Sequence, residues 1–263
     1  MNSITGTAAA TQPSARTGAV PPLVRRIVNV VRLHAANPWT TIVTPWMIFA
    51  VVFGLNVAVW YAVVVAAGGR DKLDPGAFSS NGGGTWILIF LMVAAIQAMN
   101  LTFRFALGMG FTRRDYYIGT LLYFALLAAM FASGITLMAI IERATNGWGV
   151  DGRFFLPWEA AATSAPTLWL VILLAALVFI SVGIAAATMW VRWGAVGLYM
   201  FFGAFAVVTV GTVWLVTWAK AWDDVGDYLT GHSPLTIVSW TVPITVVSAA
   251  FGYLMLRRAT PKA

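Results

Sequence analysis

The chain is 263 residues and 28.3 kDa, 60% hydrophobic and only 10% charged, with a mean hydropathy of +0.83. So few charges cannot cover a soluble surface, where about a quarter of residues are ordinarily charged, and so much apolar side chain excludes intrinsic disorder. With no cysteine, disulfides, thiolate metal sites and cysteine nucleophiles are excluded as well. The net charge of +7 and pI near 10.1 suit anionic lipid or nucleic acid in general. Here the placement of the charges, between long apolar runs, favours the membrane and leaves no role for nucleic acid.

Residues 1–20 are rich in Ala, Thr, Ser, Pro and Gly and carry a single Arg. They lack the charged-then-apolar layout of a cleavable signal peptide and read as a disordered cytoplasmic tail. Residues 21–37 read as an amphipathic interfacial helix. At 100° per residue, Arg25, Asn29 and Arg32 share one face, with Arg26 beside it, while Leu23, Ile27, Val30, Val31 and His34 share the other. The alternative is a solvated juxtamembrane stub. Pro38 separates this helix from the first span.

Residues 38–263 form a six-span domain. A span needs about 20 apolar residues to cross a hydrocarbon layer of roughly 30 Å. Such runs cover 42–67, 85–105, 117–141, 167–191, 195–219 and 235–256, and of all the charged side chains only Arg104 falls inside one. Continuously apolar runs of this length exclude a transmembrane barrel, whose strands alternate. The expected fold is an all-α integral membrane protein. Segments 1–41, 104–116, 192–194 and 257–263 carry a balance of +10, the remaining loops −3. The positive-inside rule therefore puts both termini in the cytoplasm. Trp39, Trp46, Trp190 and Trp193 mark the inner interface, and Trp60, Trp86, Trp169, Trp218, Trp222 and Trp240 the outer one. Pro243 is expected to kink the sixth span. Gly183 and Ala187 allow close helix approach in the fourth, toward either a partner or their own bundle.

Self-contained chemistry is missing. None of Lys72, Lys220 and Lys262 follows a Gly or precedes Ser or Thr, so there is no phosphate-binding loop. His34 and His232 lie on opposite sides and read as ordinary interfacial residues. Asp223, Asp224 and Asp227 form an outer cluster, read as a solvated loop in preference to a cation-attracting one. No acid lies inside a span, which argues against a proton- or sodium-coupled carrier.

The informative stretch is the inner end of the second span and the loop after it. Gln97, Asn100 and Arg104 are spaced i, i+3, i+7 and share a helix face. They are either interhelix hydrogen-bonding glue or part of a conduction pathway. Gly108 and Gly110 end the span. Thr112 followed by Asp115 then reads as a capping box opening a short helix. Arg113 and Arg114 point to the cytoplasm, and Tyr116 and Tyr117 sit at the membrane boundary. The arginines either anchor the helix or present a docking surface.

At these residues the chain resembles the permease subunit of a bacterial type-2 ATP-binding-cassette exporter, with an actinobacterial look. The likeness is carried by Leu107-Gly-x-x-x-Thr-Arg-Arg-Asp-Tyr-Tyr-x-Gly-Thr120, by Glu142-Arg-Ala-Thr145 and by the closing Leu256-Arg-Arg-Ala-Thr-Pro. The resemblance implies a short coupling helix between spans two and three. It also implies a separate cytosolic ATPase docked on Thr112, Arg113, Arg114, Asp115, Tyr116 and Tyr117, with Arg25, Arg26 and Arg32 of the interfacial helix as a second contact. ATP and Mg would belong to that partner, so the chain itself would be no enzyme and bind no cofactor or metal. A second permease copy or a paralogous permease would complete the pathway, in the plasma membrane. The cargo would be amphipathic or hydrophobic: a drug, an antimicrobial peptide or a lipid. Residues 220–234, about 22 Å as helix, leave too little room for the full re-entrant hairpin that many such exporters carry before the last span. The alternative is a non-transport membrane scaffold, sensor or assembly protein.

Overall fold

The computed structural model describes residues 22–79, 85–155 and 163–257, so the expected tail over 1–20 lies outside the described residues. Among these the ordered elements are helical. Leu23–Ala35 forms α1, which follows Pro22 and ends before Pro38. A wide turn at Trp39–Val43 runs into α2 (Thr44–Ala66). Next come α3 (Trp86–Gly108), α4 (Arg113–Ala144), α5 (Ala165–Trp193) and α6 (Ala195–Trp218). Two short helices, α7 (Trp222–Gly231) and α8 (Pro234–Ser239), precede α9 (Thr241–Arg257). Six stretches are long and apolar enough to cross a membrane: Trp39–Ala66, α3, α4, α5, α6 and Pro234–Arg257. The protein is a multi-pass helical membrane protein.

The helix ends are written in local chemistry. Pro45, Pro166 and Pro234 stand in first turns, where a missing N–H costs nothing. Ser164 and Ser233 accept hydrogen bonds from the backbone N–H groups of Thr167 and Thr236. α3 closes with Phe111 N–H donating to Ala106 O at 3.1 Å and Gly110 N–H to Leu107 O at 3.0 Å. That pattern needs a left-handed residue, and Gly110 supplies it with φ +84°. The sixth span breaks at Trp240, one turn before Pro243, whose ring cannot continue the hydrogen-bond ladder.

The expected separate coupling helix is not found. Arg113 instead opens α4, which continues unbroken for 32 residues, about 48 Å. Charges end the hydropathy run at both ends of this helix, but they do not end the helix.

α5 is the central post. Its Ile180, Ile184 and Ala187 are buried among α3, α4 and α9, and Gly183 explains the closeness: a Cβ there would lie 2.6 Å from Met92 O of α3. The small residues of the fourth span thus face their own bundle. α4 packs on α3 through Tyr116 and Phe103, rings 5.3 Å apart, and α2 leans on α4 by stacking Trp46 on Phe131 at 5.2 Å. Trp60, expected at the outer interface, is buried against Phe78 and Gly152. α6 is different. Gly197 is its one buried residue, and its apolar side chains face outward. The chain's two described ends meet at one end of the bundle, where α1 and the last residue of α9 both touch the start of α4.

Candidate functional site

The corner where α1, α4 and α9 meet gathers most residues singled out in the sequence. Thr112 is extended (φ −75°, ψ 151°) and its Oγ1 accepts from Asp115 N–H at 3.1 Å, a true N-cap. The Asp115 carboxylate, 2% exposed, turns to α1 and pairs with Arg26 Nη1 at 3.2 Å. Its negative charge in the first turn also favours the N-terminus of α4.

α1 lies against α4 through a contact that only glycine permits. A Cβ on Gly119 would meet Val30 Cβ at 2.5 Å. One turn along α1, His34 is buried beside Tyr116, Tyr123 and Phe124, with its ring 5.2 Å from that of Tyr123. Its Nε2 lies 2.9 Å from Thr120 Oγ1, whose own proton goes to Tyr116 O at 2.8 Å. Thr120 must therefore accept, and His34 carries its proton on Nε2. Burial pushes the His34 pKa down to about 4, so the ring is neutral near pH 7. The interfacial reading of His34 is corrected: it is an anchor between α1 and α4.

The tyrosines fasten the other neighbours. Tyr116 Oη lies 2.7 Å from Thr102 Oγ1 of α3, and Tyr117 Oη donates to Ala249 O of α9 at 2.6 Å. Arg113 donates to Arg257 O at 3.1 Å. Of the six docking residues expected from the sequence, Asp115, Tyr116 and Tyr117 are thus buried inside the chain. Thr112 and Arg114 are exposed and Arg113 partly so. On α1, Arg25 and Arg32 are exposed, whereas Arg26 is held by Asp115. The surface left for a partner is a cationic patch of Arg25, Arg32, Arg114 and part of Arg113.

No family model, curated protein or solved structure matches the chain.

The polar stripe is split. Asn100 and Arg104 line a cavity of about 440 Å³ with Phe103, Trp190, Val191 and Gly194, between α3 and the α5–α6 joint. The Asn100 Oδ1 is buried there without a hydrogen bond among the described residues. Gln97 does not line this cavity and is exposed. Nearby, Arg192 stacks its guanidinium over Trp193 at 4.3 Å and reaches Met255 Sδ at 3.4 Å.

The acidic cluster lies in a helix where a loop was expected. Asp223 and Asp224 occupy the first turn of α7, where carboxylates complement the helix dipole. His232 stacks on Tyr228 at 4.1 Å and its Nδ1 lies 2.9 Å from Tyr228 O. Among the described residues no three His, Asp or Glu side chains could together hold a metal ion.

Sequence reasoning missed Glu142 as a structural hub and the Arg26–Asp115 pair. Asp115 did leave a signal, since it is the one acid among the basic segments. Glu142 stood out only within the Glu142-Arg-Ala-Thr145 stretch, and nothing there showed its role, because its partners come from a loop that only the fold brings back.

Proposed function

We propose that the chain is the membrane subunit of an ATP-driven exporter, with its α1 end in the cytoplasm and a separate cytosolic ATPase docked on the Arg25, Arg32 and Arg114 patch. The supporting observation is the convergence of α1, the start of α4 and the end of α9 on one corner. The three elements are tied by Arg26–Asp115, His34–Thr120 and Arg113–Arg257. A push on that corner reaches α3, α4 and α9 together, because Tyr116 and Tyr117 fasten α4 to the other two. The resemblance at Leu107–Thr120 gives the partner its class. Arginine suits such an interface, since its planar fork pairs with carboxylates through two parallel hydrogen bonds.

The exposed faces of α2 and α6 would meet lipid or a second permease copy. The Asn100–Arg104 cavity opens beside the joint between α5 and α6, where an amphipathic or hydrophobic cargo entering from the inner leaflet would find one cation and an apolar wall. Val24 and Val28, apolar and exposed on α1, would rest in the inner membrane surface.

The test is affinity purification of the full chain from its native membrane with identification of bound proteins. A nucleotide-hydrolysing partner should co-purify, and the Arg25→Glu/Arg114→Glu variant should lose it at least tenfold while inserting at normal yield. Recovery of that partner by the variant at wild-type yield, or of no such partner by the wild type, would overturn the proposal.

A further inference from the structure

At the opposite end of the bundle lies a polar pocket of about 380 Å³ that the docking scheme leaves unused, within the size range of small-ligand sites. Its floor is Glu142, in the last turn of α4 and 1% exposed. One carboxylate oxygen is saturated: Oε2 accepts from Trp148 Nε1 at 2.9 Å, Phe154 N–H at 2.9 Å and Phe155 N–H at 3.2 Å. The other oxygen, Oε1, is buried with no hydrogen bond among the described residues. A charged acceptor in that condition calls for a donor.

The walls set the charge of what could supply one. Among the described residues Arg70, Arg143 and Arg153 line the pocket against Glu142 and Asp151, a net of +1. Arg70 is committed to structure, donating to Val150 O at 3.0 Å and pairing with Asp151 at 3.3 Å. Arg153 gives its backbone N–H to Phe78 O, while its guanidinium makes no ion pair or hydrogen bond among the described residues. The complementary ligand carries one negative charge for the guanidiniums and a hydroxyl for Glu142 Oε1. The phosphocholine headgroup of a lipid, a net-neutral zwitterion, has neither the charge nor the donor.

We propose that this pocket binds a phosphoglycerol group, a phosphate diester with a single negative charge and free hydroxyls. The phosphate would sit on the Arg153 side, since a guanidinium fork matches phosphate oxygens. A glycerol hydroxyl would donate to Glu142 Oε1. The group could arrive as a lipid headgroup or as a soluble phosphate ester, and the inference does not depend on the exporter reading.

Glu142→Gln tests the donor–acceptor logic. The three donors on Oε2 hold the amide oxygen in place, so the new NH2 takes the position of Oε1 and the pocket gains a donor where it had an acceptor. The full chain in detergent is titrated with dioctanoyl phosphatidylglycerol, dioctanoyl phosphatidylcholine and glycerophosphoglycerol, read by tryptophan fluorescence, to which Trp148 contributes through its bond to Glu142. Phosphatidylglycerol should bind at least tenfold tighter than phosphatidylcholine. Both Glu142→Gln and Arg153→Gln should weaken it at least tenfold. Arg153→Gln leaves the Glu142 contacts in place, so it keeps the test valid if the first variant misfolds. Binding of glycerophosphoglycerol as tight as the lipid assigns a soluble ligand, and binding of the lipid alone assigns a headgroup. Equal binding of the two lipids with no glycerophosphoglycerol binding, or an undiminished Arg153→Gln, would overturn the proposal.

Discussion

His34 shows how a single side chain sets the condition under which α1 stays docked. Its ring is neutral because burial holds its pKa near 4, against an ordinary value of 6.5. Tyr116, Tyr123 and Phe124, the rings against it, bring no charge between those values, and the Arg26–Asp115 pair lies two turns away on α1. An undocked α1 binds a proton below pH 6.5, whereas a docked one resists it until about pH 4. The docked state therefore has its full contribution from His34 above pH 6.5, loses it as pH falls through that window, and stops losing below about 4. We expect trypsin cleavage after Arg25 and Arg32 to accelerate between pH 7 and pH 5, compared with a protease control peptide at each pH. His34→Gln should flatten this profile, and a profile unchanged by the substitution would show that another group controls docking. Arg26 works beside it. With Asp115 2% exposed, losing the arginine would leave a buried carboxylate unpaired, at a cost of about 1.5–3 kcal/mol.

Among the elements, α1 and α4 illustrate what hydropathy can and cannot read. The spans are legible because about 20 apolar residues without charge have few other homes. Hydropathy places the third span at 117–141, yet α4 runs from Arg113 to Ala144. Thr112 caps a helix whose first turns are polar because they pack on α1, and Glu142 extends it because one oxygen of its carboxylate is held by the loop that returns at Phe154. The faces of α1 are legible too, since Val30 and His34 fall on its apolar side. That this side meets α4 and not lipid alone is not legible, because the deciding contact joins His34 to a residue 86 positions away. Gly119 is the sharpest probe of that contact. Gly119→Ala places a methyl 2.5 Å from Val30 Cβ and should loosen α1 by about 1–3 kcal/mol. Val30→Gly should restore docking in part in the double variant and Val30→Ala less, because Val30 Cβ is the nearest atom and would still be met by the new methyl. Protease protection of α1 reads both, and equal behaviour of the two rescues would remove this packing account.

For the whole molecule, the decisive quantity is orientation. The ends of the described chain share one end of the bundle, and the basic residues of the sequence concentrate there. Single cysteines at Thr163 and Gly231 should react with a membrane-impermeant maleimide in intact cells, and one at Ala36 only after lysis. The reverse pattern would invert the protein and place the phosphoglycerol pocket in the cytoplasm. The joint between the fourth and fifth spans also bears on how the chain enters the bilayer at all. α5 and α6 meet at Gly194 alone, with φ +66° and ψ −145°, a backbone state that glycine adopts and other residues avoid. No stretch of chain between them is long enough to wait in water while one helix inserts and the other is still being synthesised. The 29-residue and 24-residue helices are therefore expected to enter the bilayer together, as a single hairpin.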